Sequence, residues 1–325
     1  MESTVPVIDF SSPDRQSTAK QLTKALETVG FAYLDNVPGF NKEVENVLHQ
    51  TAEWFFSISL EEKLQLSTKN WNKDAKNVFR GYIPIDVDKG HLREQYGVGE
   101  LLPLDDPDLK SGHPLYERIA LPTKDFPVKS CLDDDGTFGG FMMSYYYIML
   151  NAGVEFLRLM AIGLGLPEDS FASKFVPKSI STLRLMHYPT YFDITGKRPE
   201  QVSEFTCEEH IDTVFVTLLV TFSYPGLEIQ REDGSWINVA PRPGSLIVNI
   251  GDLMSRVTNG RFRATPHRVR DTGKKRYSVP FFLEARSNAK FEFPDSSIIT
   301  YGPWLVERLR RHKYQFAHLP PVIES

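Results

Sequence analysis

The chain has 325 residues, of which 24% are charged and 41% hydrophobic, a balance that supports a packed core and excludes a disordered polymer. Its net charge of -5 leaves no electrostatic footprint for a phosphate backbone, and no nucleic-acid module stands in the sequence, so nucleic acid is not an expected partner. The start, "MESTVPVIDFSS", lacks the basic and apolar regions of a signal peptide, and the two cysteines, Cys131 and Cys207, are far apart, so a cytoplasmic setting is expected.

In chain order, "VPVIDF" (5–10) reads as a short strand. The stretch "STAKQLTKALETVG" (17–30) spaces apolar residues at 22, 26 and 29 for an amphipathic helix closed by Gly30, and "FAYLDNV" (31–37) is a second strand. Residues 41–58 are helical, and "SLEEK" (59–63) carries a capping box, with Ser59 at N-cap and Glu62 at N3. From 67 to 136 the chain is rich in Pro, Gly, Asp and Lys and reads as long loops with short strands at "FRGYIPI" and "QYGVGE".

The longest apolar stretch, 141–166, is interrupted by Asn151, Glu155 and Arg158, so it predicts a core helix and not a membrane span. A short helix follows near 168–175. From 180 the pattern changes to short strands: "STLRLMHYP", "VFVTLLVTF", "LEIQ", "WINV", "SLIVNI", "FRATPHRV" and "RYSVPFFLEA". The turn sequences "REDGS", "PRPGS" and "RDTGKK" separate them, as in an all-β sandwich or barrel. The chain then leaves the sheet through "FPDSS" and ends in a helix over 301–316, whose basic cluster reads as a solvated face favoured by the helix dipole.

His210 and Asp212 precede a nine-residue apolar run. A His-x-(Asp/Glu) triplet is expected roughly once by chance in this composition, so the pair gains weight only from what can converge on it. On a strand, residues two apart share a face, and the pair can present a nitrogen and an oxygen to one point. His267, in "RATPHRV", is the candidate third ligand. Two His and one carboxylate on one side of a metal, with other positions open, suit non-haem Fe(II), while catalytic zinc uses the same donor types. Nine positions later, Arg276 and Ser278 share a strand face, and an arginine fork beside a hydroxyl suits a carboxylate.

These motifs, with "LRLMHYP", "VPVIDF", "VGFAYLDNV" and "FFSISLEEK" in the same order, resemble the iron(II)/2-oxoglutarate-dependent dioxygenase superfamily in its isopenicillin N synthase-like branch. The resemblance implies a mixed α and β fold: a double-stranded β-helix (jelly-roll) core buttressed by helices, with an N-terminal α/β cap. The corresponding segments are a cap over 1–118, connecting loop and core helices over 119–178, the catalytic core over 179–290, and a C-terminal helix and tail over 291–325. It implies His210, Asp212 and His267 as Fe(II) ligands, Arg276 and Ser278 as the pair binding the far carboxylate of 2-oxoglutarate, and Tyr188 as their helper. O2 is the implied oxidant.

Plant members commonly show Asn-Tyr-Tyr-Pro where this chain has Met186-His187-Tyr188-Pro189, so their cosubstrate contacts at this stretch and their substrates are not carried over to this chain. Substrate contacts in related enzymes fall in the loops, which makes Arg80, Tyr82, Arg93 and Tyr96 candidates, with Phe205 and Phe282 as core or pocket wall. The implied activity, of the kind found in secondary metabolism, is oxidation of an unactivated C–H bond of a small, amino-acid-derived or carboxylated metabolite. The outcome is hydroxylation, desaturation or ring closure, with release of succinate and CO2, and the enzyme is expected to act as a monomer. The alternatives are an isopenicillin N synthase-type oxidase that uses no 2-oxoglutarate, a zinc hydrolase, for which the chain has no H-E-x-x-H helix, and a non-catalytic jelly-roll binding protein.

Overall fold

The computed structural model describes residues 5–75, 79–100, 126–127, 137–196 and 204–312. Cys131, most of the loop region expected after residue 100, and the end of the helix expected to reach 316 lie outside these residues.

Strand β1 (Val7–Asp9) leads into helix α1 (Arg15–Thr28), capped by the Asp14 side chain, which accepts from the Ser17 N–H at 2.9 Å. Leu22 and Leu26 are its fully buried stripe. Gly30 ends it at φ +72°, where a side chain would collide with the Arg263 carbonyl, and the chain enters β2 (Phe31–Asp35). Helix α2 (Lys42–Ser57) buries Leu48, Ala52, Phe55 and Phe56, and α3 (Leu60–Gln65) starts at the expected Ser59–Glu62 capping box. The hairpin β3 (Gly81–Ile83) and β4 (Glu94–Gly99) follows, then α4 (Phe138–Gly163) and α5 (Asp169–Ala172).

The rest is mainly strand: β5 (Thr182–Tyr188), α6 (Tyr191–Thr195), β6 (Phe205–His210), β7 (Val216–Val220), β8 (Leu227–Gln230), β9 (Trp236–Asn238), β10 (Leu246–Ile250) and α7 (Asp252–Val257). It continues through β11 (His267–Arg270), β12 (Arg276–Leu283), β13 (Lys290–Glu292), β14 (Ile298–Thr300) and α8 (Tyr301–His312).

An eight-stranded sheet runs in the order β1-β2-β10-β7-β12-β5-β4-β3, and a four-stranded sheet in the order β6-β11-β8-β9. Strands from the N-terminal third thus form both edges of the large sheet, around the later core strands. One face of this sheet is closed by helices: Phe281 packs against Tyr146 of α4 with ring centres 5.2 Å apart, and Gly153 of α4 sits against Leu283. Each such fully buried Leu or Phe contributes roughly 1.5–3 kcal/mol. Towards the small sheet, Phe31, Tyr33 and Ile247 pack on Leu227, Ile229 and Val269. This is the two-sheet jelly-roll core, with the cavity between its layers.

Three sequence expectations change. "FPDSS" is the turn of a hairpin, β13–β14, and the short helices α6 and α7 fall where strands and loops were expected. The terminal basic residues are paired: Arg308 reaches Asp252 at 2.6 Å, and Arg310 and Arg311 both reach Glu307 at 2.8 Å. Glu155 and Arg158, the charges that interrupt α4, pair with Arg15 of α1 and, at 2.9 Å, with Asp169 of α5. No described helix is long and apolar enough to cross a membrane.

Candidate active site

His210 and Asp212 do not share a strand. β6, in the small sheet, ends at His210, and Asp212 lies beyond it, before β7 of the large sheet begins. The two residues converge because the chain crosses from one sheet to the other between them. His267, first residue of β11, pairs directly with His210. The His210 Nε2 and His267 Nε2 atoms lie 3.8 and 3.9 Å from Asp212 Oδ1, and ligand atoms of all three lie within 4.8 Å of one another. Among the described residues no other group of three His, Cys, Asp or Glu side chains meets this spacing.

The neighbours fix each donor. His210 Nδ1 faces the Glu208 carbonyl at 2.8 Å, and His267 Nδ1 the Thr265 carbonyl at 3.2 Å. Each Nδ1 therefore carries the proton, which leaves the Nε2 lone pairs turned inward. Burial, outweighing Asp212, lowers His267 below the ordinary imidazole range, so it stands as the neutral form a metal needs. Asp212 Oδ2 accepts from Thr217 Oγ1 at 2.6 Å and Asn249 Nδ2 at 2.9 Å, leaving Oδ1 for the shared point. Burial acts to raise Asp212, but His267, His210 and these two donors hold its carboxyl below the usual carboxylate range. The Asp212 carbonyl is stapled in turn by the Asp252 N–H at 2.7 Å.

The triad opens into a cavity of about 180 Å³ between the sheets. One wall comes from alternate residues of β5 and β12, which are antiparallel and in register: Arg276 stands opposite Tyr188, Ser278 opposite Met186, and Phe282 opposite Thr182. Arg276 is 4% exposed, and its Nε and Nη1 have no hydrogen-bond partner among the described residues. A buried guanidinium with two unused donors is a place for an anion, since burial otherwise costs it several kcal/mol. Ser278 lines the same wall, and Leu305 and Leu309 of α8 complete the enclosure.

Of the expected substrate contacts, Arg93 and Phe282 reach this cavity. The other four lie elsewhere. Arg80 is 1% exposed, with its guanidinium bonded to the carbonyls of Ile180 and Ser181 at 2.7 and 3.0 Å, across a gap that Gly99 leaves free of any side chain. Tyr82 donates to Glu94 at 2.6 Å behind the sheet, Tyr96 packs on Phe55 and Phe138, and Phe205 lies under Arg268 and Arg270 of the small sheet. Among the cavity residues that the sequence did not single out are the polar Arg184, Thr217, Asn249 and Glu284. Arg184 was within reach of sequence reasoning, lying four residues before Tyr188 on the same face of β5.

Residues 180–285 match the family model for the 2OG-Fe(II) oxygenase superfamily, and residues 5–123 match the non-haem dioxygenase in morphine synthesis N-terminal model. The chain is 27% identical over 291 residues to a 2-oxoglutarate-Fe(II) type oxidoreductase of Emericella nidulans, covering 86% of this chain and 78% of that protein. It is 28% identical to isopenicillin N synthase of Streptomyces griseus, covering 95% and 93%. Among solved structures, a full-length Neurospora crassa protein in complex with alpha-KG superposes with a TM-score of 0.74 at 25% identity, covering 95% of this chain and 97% of that one. With the triad, the jelly roll and both matched segments in agreement, this chain belongs to the iron(II)/2-oxoglutarate-dependent dioxygenase superfamily and is an Fe(II)-, 2-oxoglutarate- and O2-using enzyme.

Proposed function

We propose that His210, Asp212 and His267 hold the iron, that Arg276, Ser278 and Tyr188 hold the far carboxylate of 2-oxoglutarate, and that the enzyme oxidises an unactivated C–H bond of a small metabolite by hydroxylation, desaturation or ring closure. The observation that carries this reading is the pairing, in one cavity, of a three-donor cluster with an arginine whose buried Nε and Nη1 have no partner among the described residues. Both parts fit their groups: the cluster offers two imidazole Nε2 atoms and a carboxylate oxygen, and the arginine offers a bidentate fork. Bound there, the iron supplies the activation of O2 that couples loss of CO2 from 2-oxoglutarate to C–H oxidation.

The chain's own part is placement and exclusion of water. Thr217 and Asn249 keep one Asp212 oxygen occupied, so the other is presented in a single direction. Tyr188 lies against the Arg276 guanidinium, 4.8 Å from ring centre to carbon, and limits its swing. Phe282, Leu219, Leu305 and Leu309 keep the space beside the donors apolar.

The test is anaerobic addition of Fe(II) and 2-oxoglutarate to the metal-free protein, watched for the weak visible charge-transfer band of the chelate. A band that weakens with Arg276→Ala supports the assignment. Bound iron with no band overturns it in favour of a reading motivated by the isopenicillin N synthase similarity, in which Arg276 and Ser278 grip a substrate carboxylate.

A further inference from the structure

The cavity holds more unneutralised positive charge than one cosubstrate carboxylate uses. Arg184 lines it from β5, stacked on Phe282 with its guanidinium carbon 5.0 Å from the ring centre, and donates no hydrogen bond to any described residue. Burial lowers it to about 10, with Glu284 acting in the opposite direction, so it remains a cation at neutral pH. Its partner across the strands is Gly97, which brings no side chain to that side of the arginine. Arg93 lines the same cavity, stacks on Tyr188 at 6.0 Å, and has a buried Nε without a hydrogen-bond partner.

The acids do not neutralise the pair. Among the described residues, Asp212 and Glu284 are the carboxylates in the cavity wall. Asp212 belongs to the metal cluster, and burial pushes Glu284 up to about 8, against the pull of Arg80 and Arg184, so at neutral pH it is mostly an uncharged acid with a free Oε2. Arg184 is also displaced from the cosubstrate arginine. Arg276 stands opposite Tyr188, four residues further along β5, which places it about 13 Å away along the strand.

We infer that Arg184 and Arg93 form a second anion site in the cavity and that the primary substrate is a small molecule whose carboxylate this pair receives, its apolar part lying against Phe282 and Phe79. The inference rests on the assignment of Arg276 to 2-oxoglutarate. It makes the substrate an acid and not a neutral molecule, and it assigns recognition to residues outside the metal and cosubstrate sets. A guanidinium fork held by an aromatic ring in a partly enclosed cavity discriminates, because an uncharged analogue leaves both cations unpaired.

The experiment uses the anaerobic Fe(II) and 2-oxoglutarate complex of the full chain, with phenylacetate, 3-phenylpropionate and hexanoate as probes and their primary amides as uncharged matches. The readout is the shift of the visible band on titration. At least one acid is expected to shift it, with its amide 30-fold weaker or more. Arg184→Gln and Arg93→Gln should each weaken the acid at least tenfold, and Arg184→Lys should restore part of the loss. The band formed with 2-oxoglutarate alone reports whether each variant keeps a folded site, and Arg93→Gln carries the test if Arg184→Gln does not. Amides that bind as tightly as the acids, acid binding unaltered in both glutamine variants, or no response to any acid would each overturn the inference. Absence of the band before any probe is added overturns the cosubstrate assignment instead, and this inference falls with it.

Discussion

The Arg276 guanidinium lies 4.8 Å from the centre of the Tyr188 ring, and the two residues stand opposite each other on β12 and β5. Arg93 approaches the same ring at 6.0 Å. One aromatic side chain therefore lies against two cations, while its hydroxyl has a weak hydrogen bond to the Met186 sulfur at 3.7 Å.

Arg276→Ala should weaken 2-oxoglutarate by at least about 30-fold, the lower end of the 2–5 kcal/mol that truncating a buried charged partner costs. Arg276→Lys should recover only part of this, because an ammonium cannot make the bidentate contact. Tyr188→Phe, which keeps the ring, should lose only a few-fold, and Tyr188→Ala clearly more. Titration of the charge-transfer band gives all four values; equal losses in the two Tyr188 variants would show that the ring is not what positions the arginine.

Thr217→Val and Asn249→Ala each remove one of the two donors that hold Asp212 Oδ2. Each should lower Fe(II) affinity by about 10- to 100-fold while 2-oxoglutarate affinity at saturating metal changes little. Competition with a metallochromic chelator measures the first quantity and the band measures the second.

Behind the cosubstrate wall, Glu94 accepts from Lys63 Nζ at 2.8 Å and the Tyr82 hydroxyl at 2.6 Å, and its other oxygen meets His187 Nδ1 at 2.8 Å. Lys63 and Glu94 are both buried. Glu94→Ala leaves the Lys63 ammonium without its counter-charge and should cost about 3–5 kcal/mol of stability. Urea unfolding at constant m-value tests this, and a loss below about 1 kcal/mol would mean that Lys63 finds water.

Glu284 ties stability to pH. Its carboxyl, ordinarily near 4.5, is pushed up to about 8 by burial, so between these values the folded protein keeps a proton that the unfolded chain has released. Stability from this group is full below the ordinary value and falls as pH rises towards 8, by something on the order of 2–4 kcal/mol. Glu284→Gln should flatten the dependence of the thermal midpoint between about pH 5.5 and 8. A parallel decline in both proteins would remove Glu284 as its source.

Much of the fold was legible because strand alternation and the Pro and Gly turns are local signals, as at "REDGS", where Gly234 takes φ +82° between β8 and β9. The site was legible through motif order and not through geometry. The expectation that His210 and Asp212 share a strand failed, because nothing local tells that the chain changes sheets between them. Arg80 failed for a related reason: the carbonyls that bury it, at Ile180 and Ser181, are a hundred residues away in sequence. Arg184 shares a strand face with Tyr188, and Glu284 continues the alternation of Arg276, Ser278 and Phe282 one residue past the end of β12, so the period of two alone could have found them.

The terminal helix does two jobs at once. Leu305 and Leu309 of α8 line the cavity, while Arg308, between them, anchors Asp252, whose backbone N–H holds the Asp212 carbonyl. Loss of this helix is therefore expected to do more than fray a surface: it would open the cavity to solvent and loosen the backbone hold on Asp212. Such a shortened chain is expected to waste 2-oxoglutarate and oxygen before it loses all turnover, an uncoupling that succinate release measured against substrate oxidation would show.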